Sequence, residues 1–225
     1  MKPFRFKIFI STFCLLATLV FTVKTHGQTK ENKNFKAGVV ALDANNMPLA
    51  YKEFLVAAKA GHVDSQFNVA VMYEKGIGVG KNEKEAVVWY GKAAAQGNAA
   101  AQFNLGVLYE NGKGTPIDFA LANKWYRKAS VQGDGLAIGN LGMLYVRGQG
   151  VKVNKVAGMA LLLLSVKIDQ SPENNAKQNI SSTLGLTKNM VLEAQALSDK
   201  MSNTQKMLVP LDQYLKNSEN ATKKK

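Results

Sequence analysis

Apolar positions between residues 62 and 133 recur at intervals of three and four, stop at glycines, and then resume. Val69, Met72 and Tyr73 make one such run, and Leu105, Leu108 and Tyr109 make another. That spacing predicts amphipathic helices over about 63–74 and 99–110. Each run ends at a Gly-x-Gly: Gly76/Gly78, Gly112/Gly114 and, further on, Gly148/Gly150. Glycine enters the left-handed region without a Cβ penalty, so these pairs stop a helix and turn the chain back. A second helix is predicted to open at Asn82, Asp118 and Asn154, and to end at Gly97 and Gly133 in the first two cases. Asn98 and Asp134 stand where the first helices need N-caps, with side-chain oxygens that accept orphan N–H groups. His62 occupies the same slot as a weaker cap.

These elements repeat. Residues 62–97 align with 98–133 without a gap, and 15 of the 36 positions are identical. A further shift carries the first half of the pattern to Ala137, Asn140, Leu141, Gly142, Tyr145, Gly148 and Gly150, and a backward shift carries part of it to Phe54, Ala57, Ala58 and Gly61. One hairpin of this kind cannot bury its apolar face alone, whereas stacked neighbours can. Ala70, Gly106 and Gly142 are small residues inside the first helices, where a partner helix is expected to approach closely. Tyr73, Tyr109 and Tyr145 are expected to fill the space between units.

The full unit reads Ala101-Gln102-Phe103-Asn104-Leu105-Gly106-Val107-Leu108-Tyr109, Gly112-Lys113-Gly114, Asp118, then Trp125-Tyr126-Arg127-Lys128-Ala129-Ser130-Val131-Gln132-Gly133. It resembles the Sel-one-like repeat (SLR) family, relatives of the tetratricopeptide repeat. The resemblance implies an all-α, right-handed α-solenoid over residues 36–168, with two full units and degenerate flanks. It also implies a protein-binding surface on the first helices. By that resemblance the groove positions are Gln66, Asn68, Gln102, Asn104 and Asn140, with Glu74, Glu110 and Arg147 at the rim. An Asn ladder of this kind either bonds the backbone of an extended peptide or joins adjacent units of the stack.

The third unit departs from the pattern. Leu161-Leu162 replace Trp-Tyr inside a continuous apolar run, Leu161 to Leu164, which predicts a more deeply buried helix. Residues 169–215 read as a helical C-terminal cap. Its helices are expected to start at Ser171-Pro172, at Thr187, and near Ser202 with an interruption at Pro210. Residues 216–225 read as a disordered basic tail.

Composition narrows the function. The chain has 29 basic and 16 acidic residues, a formal charge of +13, and one cysteine, Cys14. Residues 1–27 combine a basic start (Lys2, Arg5, Lys7) with an uncharged apolar run from Ile8 to Val23, the layout of a secretory signal peptide. Cleavage is expected after Gly27, ahead of Gln28; the alternative is an uncleaved anchor over residues 8–23 in the inner membrane. Either form takes the remainder out of the cytoplasm, to a periplasmic or secreted location. Membrane contact is then expected only through an uncleaved N-terminal segment. The lysines are scattered and no basic stripe with interleaved aromatics appears, so nucleic acid is not an expected partner.

No nucleophile–base pair, paired carboxylates or metal cluster stands out, and neither an enzyme nor a cofactor is expected. His62 reads as a cap, Gly76–Gly80 as turn chemistry rather than a phosphate loop, and Trp89, Tyr90, Trp125 and Tyr126 as packing. The expected function is an exported protein–protein interaction module, an envelope adaptor or regulator. Alternatives are a secreted host-interacting virulence factor and a β-lactam-binding or hydrolysing enzyme. The second alternative is weakened by the absence of Ser-x-x-Lys.

Overall fold

The computed structural model describes residues 32–183 and 185–223. The signal or anchor segment, with Gly27 and Gln28, lies outside the described residues, as do Lys224 and Lys225 of the tail. The described residues form eleven helices and no strand. These are α1 (Lys33–Asp43), α2 (Met47–Lys59), α3 (Val63–Lys75), α4 (Glu83–Ala95), α5 (Ala99–Asn111), α6 (Phe119–Val131), α7 (Gly135–Arg147) and α8 (Lys155–Ile168). Then come α9 (Ala176–Ser182), α10 (Lys188–Ser202) and α11 (Leu208–Lys223). Helices α1 to α8 pack each on the next, as a solenoid of four hairpins requires.

The caps do what their residue types allow. Asn98, Asp118, Asp134 and Asn154 each accept a hydrogen bond from the backbone N–H three residues on, at 2.8 to 2.9 Å. Asn82 does the same at 3.1 Å. His62 caps α3 through Nδ1, which accepts from Ser65 N–H at 3.2 Å, and its ring lies 4.6 Å from that of Phe35. Burial lowers the His62 pKa from its ordinary 6.5, with the Asp64 charge opposing that shift. Unfolded His62 therefore takes up a proton before the folded form does. The stability it contributes is complete above pH 6.5 and falls as pH drops through the lowered folded value. The melting temperature is expected to decline on acidification from about pH 7 to about pH 5. His62→Asn, which installs the cap of the next unit, should flatten that part of the thermal profile. An unchanged slope in the variant would exclude His62 as its source.

Small residues set the hairpin spacing. A Cβ on Gly106 would stand 2.6 Å from the Tyr126 ring, so α5 and α6 close down over that ring only because position 106 is bare. Gly38 meets the Phe54 ring in the same way, which identifies α1–α2 as a shortened first unit. In the third unit two glycines face each other, Gly142 against the Gly158 carbonyl and Gly158 against the Gly142 carbonyl. The second glycine of each loop has a different task. Gly78, Gly114 and Gly150 press backbone-on-backbone against Met47, Glu83 and Phe119, the first residues of α2, α4 and α6. The Gly-x-Gly is therefore both a helix stop and a contact between units.

The core runs the length of the stack. One cluster is centred on Phe54, Val69, Tyr90 and Leu105, another on Tyr126, Leu141, Leu161 and Leu164, and Tyr109 packs against both. Tyr73 Oη lies 2.6 Å from Tyr51 Oη of the preceding unit, the inter-unit role expected of that tyrosine series.

The C-terminal region is helical but divided differently from the expected pattern. Ser171-Pro172 lie in a turn, and the helix starts only at Ala176. Asn174 makes that turn: its Nδ2 donates to the Asp169 carbonyl at 2.7 Å, and its Oδ1 accepts from Ala176 N–H at 3.0 Å. Thr187 caps α10 as expected, at 3.3 Å from Met190 N. Ser202 closes α10 instead of starting a helix. Pro210 sits in the first turn of α11, where its missing N–H costs nothing. Helix α11 runs on to Lys223, past Lys216 where the disordered tail was expected. Leu208 and Leu211 tie it to the core, and Asp212 pairs with Arg127 of α6. Helices α9 and α10 both pack on α8, so Val156 to Leu162 and Leu164 are buried, as the apolar run from Leu161 to Leu164 led us to expect.

Candidate functional site

The first helices α3, α5 and α7 share a face that the stack leaves half-open. Asp64, Asn68 and Val71 are half-buried on α3, and Ala100, Asn104 and Val107 hold the same positions on α5. On α7, Leu136 and Asn140 continue the stripe. The spacing of four and three residues puts each set on one side of its helix. Asn68, Asn104 and Asn140 hold equivalent places on their helices, and Val71, Val107 and Leu136 lie on the same line, where their periodic spacing was the available signal.

The eight expected positions divide into three groups. Gln66 and Gln102 are buried, and their polar atoms are spent inside the stack. Gln66 Nε2 donates to the Ala58 carbonyl at 3.1 Å and its Oε1 accepts from Gln96 at 2.7 Å. Gln102 repeats this with the Ala94 carbonyl and Gln132, at 3.0 and 2.8 Å. Each glutamine therefore links a first helix to the chain on either side of it and makes its hydrogen bonds within the stack.

Glu74 and Glu110 serve the second helices. The buried Tyr90 hydroxyl donates to Glu74 at 2.8 Å, and the buried Tyr126 hydroxyl to Glu110 at 2.6 Å. Burial raises both tyrosine pKa values, and the neighbouring carboxylates add to it. Asn140 joins the second of these pairs, its Nδ2 donating to Tyr126 Oη at 3.1 Å. In the third unit Val146 and Leu162 replace the Glu and the Tyr together. Leu162 is fully buried there in a small cluster with Met143 and Ala176, a residue of α9. The polar pair is thus exchanged for an apolar one where the cap covers it.

Asn68 and Asn104 form the third group with Arg147. Neither asparagine side chain makes a hydrogen bond to the described residues. Arg147 is exposed at the end of α7. The stripe ends at a cleft of about 280 Å³ bounded by Phe103, Leu136, Asn140, Asn175 and Asn179, where α9 closes it. The described residues hold no group of three or more His, Cys, Asp or Glu side chains able to take a metal ion, and no helix among them is long and apolar enough to cross a membrane.

A family model described as Sel1 repeat matches residues 63–98, 99–134 and 136–167. Each match spans one hairpin, α3–α4, α5–α6 and α7–α8. The chain is similar to a Sel1 repeat protein from Oxalobacter formigenes, with 29% identity, a TM-score of 0.60, and coverage of 82% of this chain and 74% of that one. It is also similar to a protective antigen of uropathogenic Escherichia coli with an SLR fold, at 28% identity and a TM-score of 0.51. That match covers 74% of this chain and 44% of the antigen. No curated protein matches the chain. Sel1-repeat folds are typically non-catalytic scaffolds that bind proteins. With three matched repeats and a helical stack like that of solved Sel1-repeat structures, residues 63–167 of this chain form a solenoid of Sel1-type repeats.

Proposed function

We propose that the half-open face of α3, α5 and α7 binds an extended segment of a partner protein, and that the chain serves as an exported adaptor in a bacterial envelope. One observation carries the binding surface. Asn68 and Asn104 stand 36 residues apart with unspent amide groups, while Gln66, Gln102 and Asn140 are engaged within the stack. An amide offers one acceptor and two donors, the complement of a peptide backbone. Val71 and Val107 beside them supply apolar contact for the alternate side chains of such a segment. Export is supported by the basic start and the uncharged Ile8–Val23 run.

The double variant Asn68→Ala/Asn104→Ala tests the surface. Partner capture by in-cell crosslinking is expected to fall by about fivefold to about 150-fold, since two lost hydrogen bonds amount to about 1–3 kcal/mol. The melting temperature should stay within about 2 °C of the parent, because neither amide is bonded in the fold. Unchanged capture, or a large thermal loss, would refute this role. Peptide mapping of the captured protein tests export, with Gln28 expected at the mature N-terminus. A host-directed role is a second reading, favoured by the uropathogenic antigen among the similar structures. A host protein in place of an envelope protein among the crosslinked partners would establish it.

A further inference from the structure

The second helices carry a feature with no counterpart on the first. Every exposed residue of α2, α4 and α6 is either lysine or apolar. The lysines are Lys52 and Lys59 on α2, Lys84 and Lys92 on α4, and Lys124 and Lys128 on α6. Between them stand Val56, Val88 and Val131, which keep 48%, 48% and 60% of their surface exposed. The three acidic residues of these helices, Glu53, Glu83 and Glu85, are only half exposed; Glu53 accepts from Asn34 at 2.7 Å, and Glu83 pairs with Lys81 at 2.9 Å. Along the sequence these lysines look scattered. The 36-residue register stacks them on one outer face, with Lys92 and Lys128 in the same position of successive units.

The third unit shows what this position becomes when it is covered. Ala160 and Leu164 of α8 stand where α6 has Lys124 and Lys128, and both are fully buried in a helix against which α10 packs. The lysines therefore belong to the uncovered part of the face. Two lysines also lie across tryptophan rings: Lys92 Nζ is 3.8 Å from the Trp89 centroid, and Lys128 Nζ is 4.8 Å from that of Trp125. Their stems run along the surface, with the ammonium groups beside half-buried and buried aromatics.

We propose that this outer face of α2, α4 and α6 docks on an anionic lipid bilayer. The charge is complementary to acidic headgroups, and lysine near such a surface gains from its negative potential. Three helices held rigidly side by side present the ammonium groups as an array rather than as a single point. The choice of lipid over a soluble polyanion rests on the rest of the face. Valines gain nothing from a hydrated polyphosphate but lose water at the depth of the headgroups, as on interfacial helices. The half-buried ring of Trp125 favours the same depth. The face has no exposed Arg, Asn, Gln, Ser or Thr within these helices, the groups that bond phosphodiester backbones. It uses different helices from the partner-binding stripe, so an adaptor could hold a protein segment while resting on a membrane.

The test is flotation of the purified full chain with vesicles of phosphatidylcholine alone or of equimolar phosphatidylcholine and phosphatidylglycerol. Three proteins are compared: the parent, the face variant K52Q/K84Q/K92Q/K124Q/K128Q, and an equal-charge control K113Q/K177Q/K188Q/K200Q/K216Q. The parent is expected to prefer the anionic vesicles, and to lose that preference between about 0.05 M and 0.5 M salt. The face variant should partition about thirtyfold more weakly onto anionic vesicles, and the control within about threefold of the parent. Far-UV circular dichroism and melting temperature confirm that both variants are folded. Equal losses in the two variants, or equal binding of the parent to neutral and anionic vesicles, would overturn the proposal. So would tighter retention of the parent on duplex DNA than on anionic vesicles.

Discussion

Gly114→Ala is expected to destabilise the protein by about 3 kcal/mol or more, while Gly133→Ala costs only about 1 kcal/mol. Both glycines have positive φ, +69° and +87°. An L-residue at either place carries the left-handed penalty, so that term is common to the two. The surroundings differ. Nothing lies within 4 Å of a Cβ built on Gly133. On Gly114 the same atom would sit well inside contact distance of the Glu83 carbonyl, at the first residue of α4. That obstacle is backbone, and it cannot rotate away as a side chain would. Relief requires the α5–α6 loop to lift off α4, which opens the join between two units. Chemical denaturation of the two variants measures the difference. Similar losses in both would mean that the loop contact contributes nothing beyond the turn itself.

Tyr126→Ala should cost about 4 kcal/mol and Tyr126→Phe about 2 kcal/mol. The ring is fully buried under Gly106, so its removal leaves a cavity that neither α5 nor α6 can fill without moving. The Phe variant keeps the ring and removes only the hydroxyl, which donates to Glu110 at 2.6 Å and accepts from Asn140 at 3.1 Å. A carboxylate then loses its buried partner, which is the costlier half of the change. The pH dependence identifies the group. Burial, reinforced by Glu110, raises the Tyr126 pKa above its ordinary 10.0. A raised pKa means the unfolded state ionises first. The stabilisation is present below pH 10 and is lost as pH rises toward the folded value. The parent should therefore lose stability in alkali more steeply than the Phe variant. Equal alkaline slopes would show that other buried tyrosines, Tyr90 among them, dominate that limb.

Much of this architecture could be read without coordinates. The 36-residue identity, the paired glycines and the cap residues determine the hairpins and their order, because each is a local requirement. A helix start needs an acceptor three residues back, and a reversal needs positive φ. The close approach of the partner helix at Ala70, Gly106 and Gly142 was also legible, although only the structure shows that the Tyr126 ring is what meets Gly106. The candidate site was legible only in outline. The sequence placed Gln66 and Asn68 on one first helix and Gln102 and Asn104 on the next, but a 3.6-residue period cannot say which of two nearby positions turns inward. The fold decides that: Gln66 and Gln102 go into the joins between units, and Asn68 and Asn104 stay on the open face.

The cap was legible as helical but not in its boundaries. Ser171-Pro172 carry a helix-start signal, yet the side chain of Asn174 holds that stretch as a turn. Its bonds to Ser165 and Asp169 cannot be inferred from local propensity. Helix α11 continues past Lys216 because Leu208, Leu211 and Asp212 anchor it against distant helices. The lysine face has the same origin. Equivalent members stand 36 residues apart (Lys92 and Lys128) or 72 apart (Lys52 and Lys124) along the chain, and only stacking at a constant register brings them to one side. Local chemistry, which acts within a few residues, determined the helices and turns. Which side chains meet a partner, a neighbouring unit or solvent depends on packing between units, and that was decided by the tertiary structure.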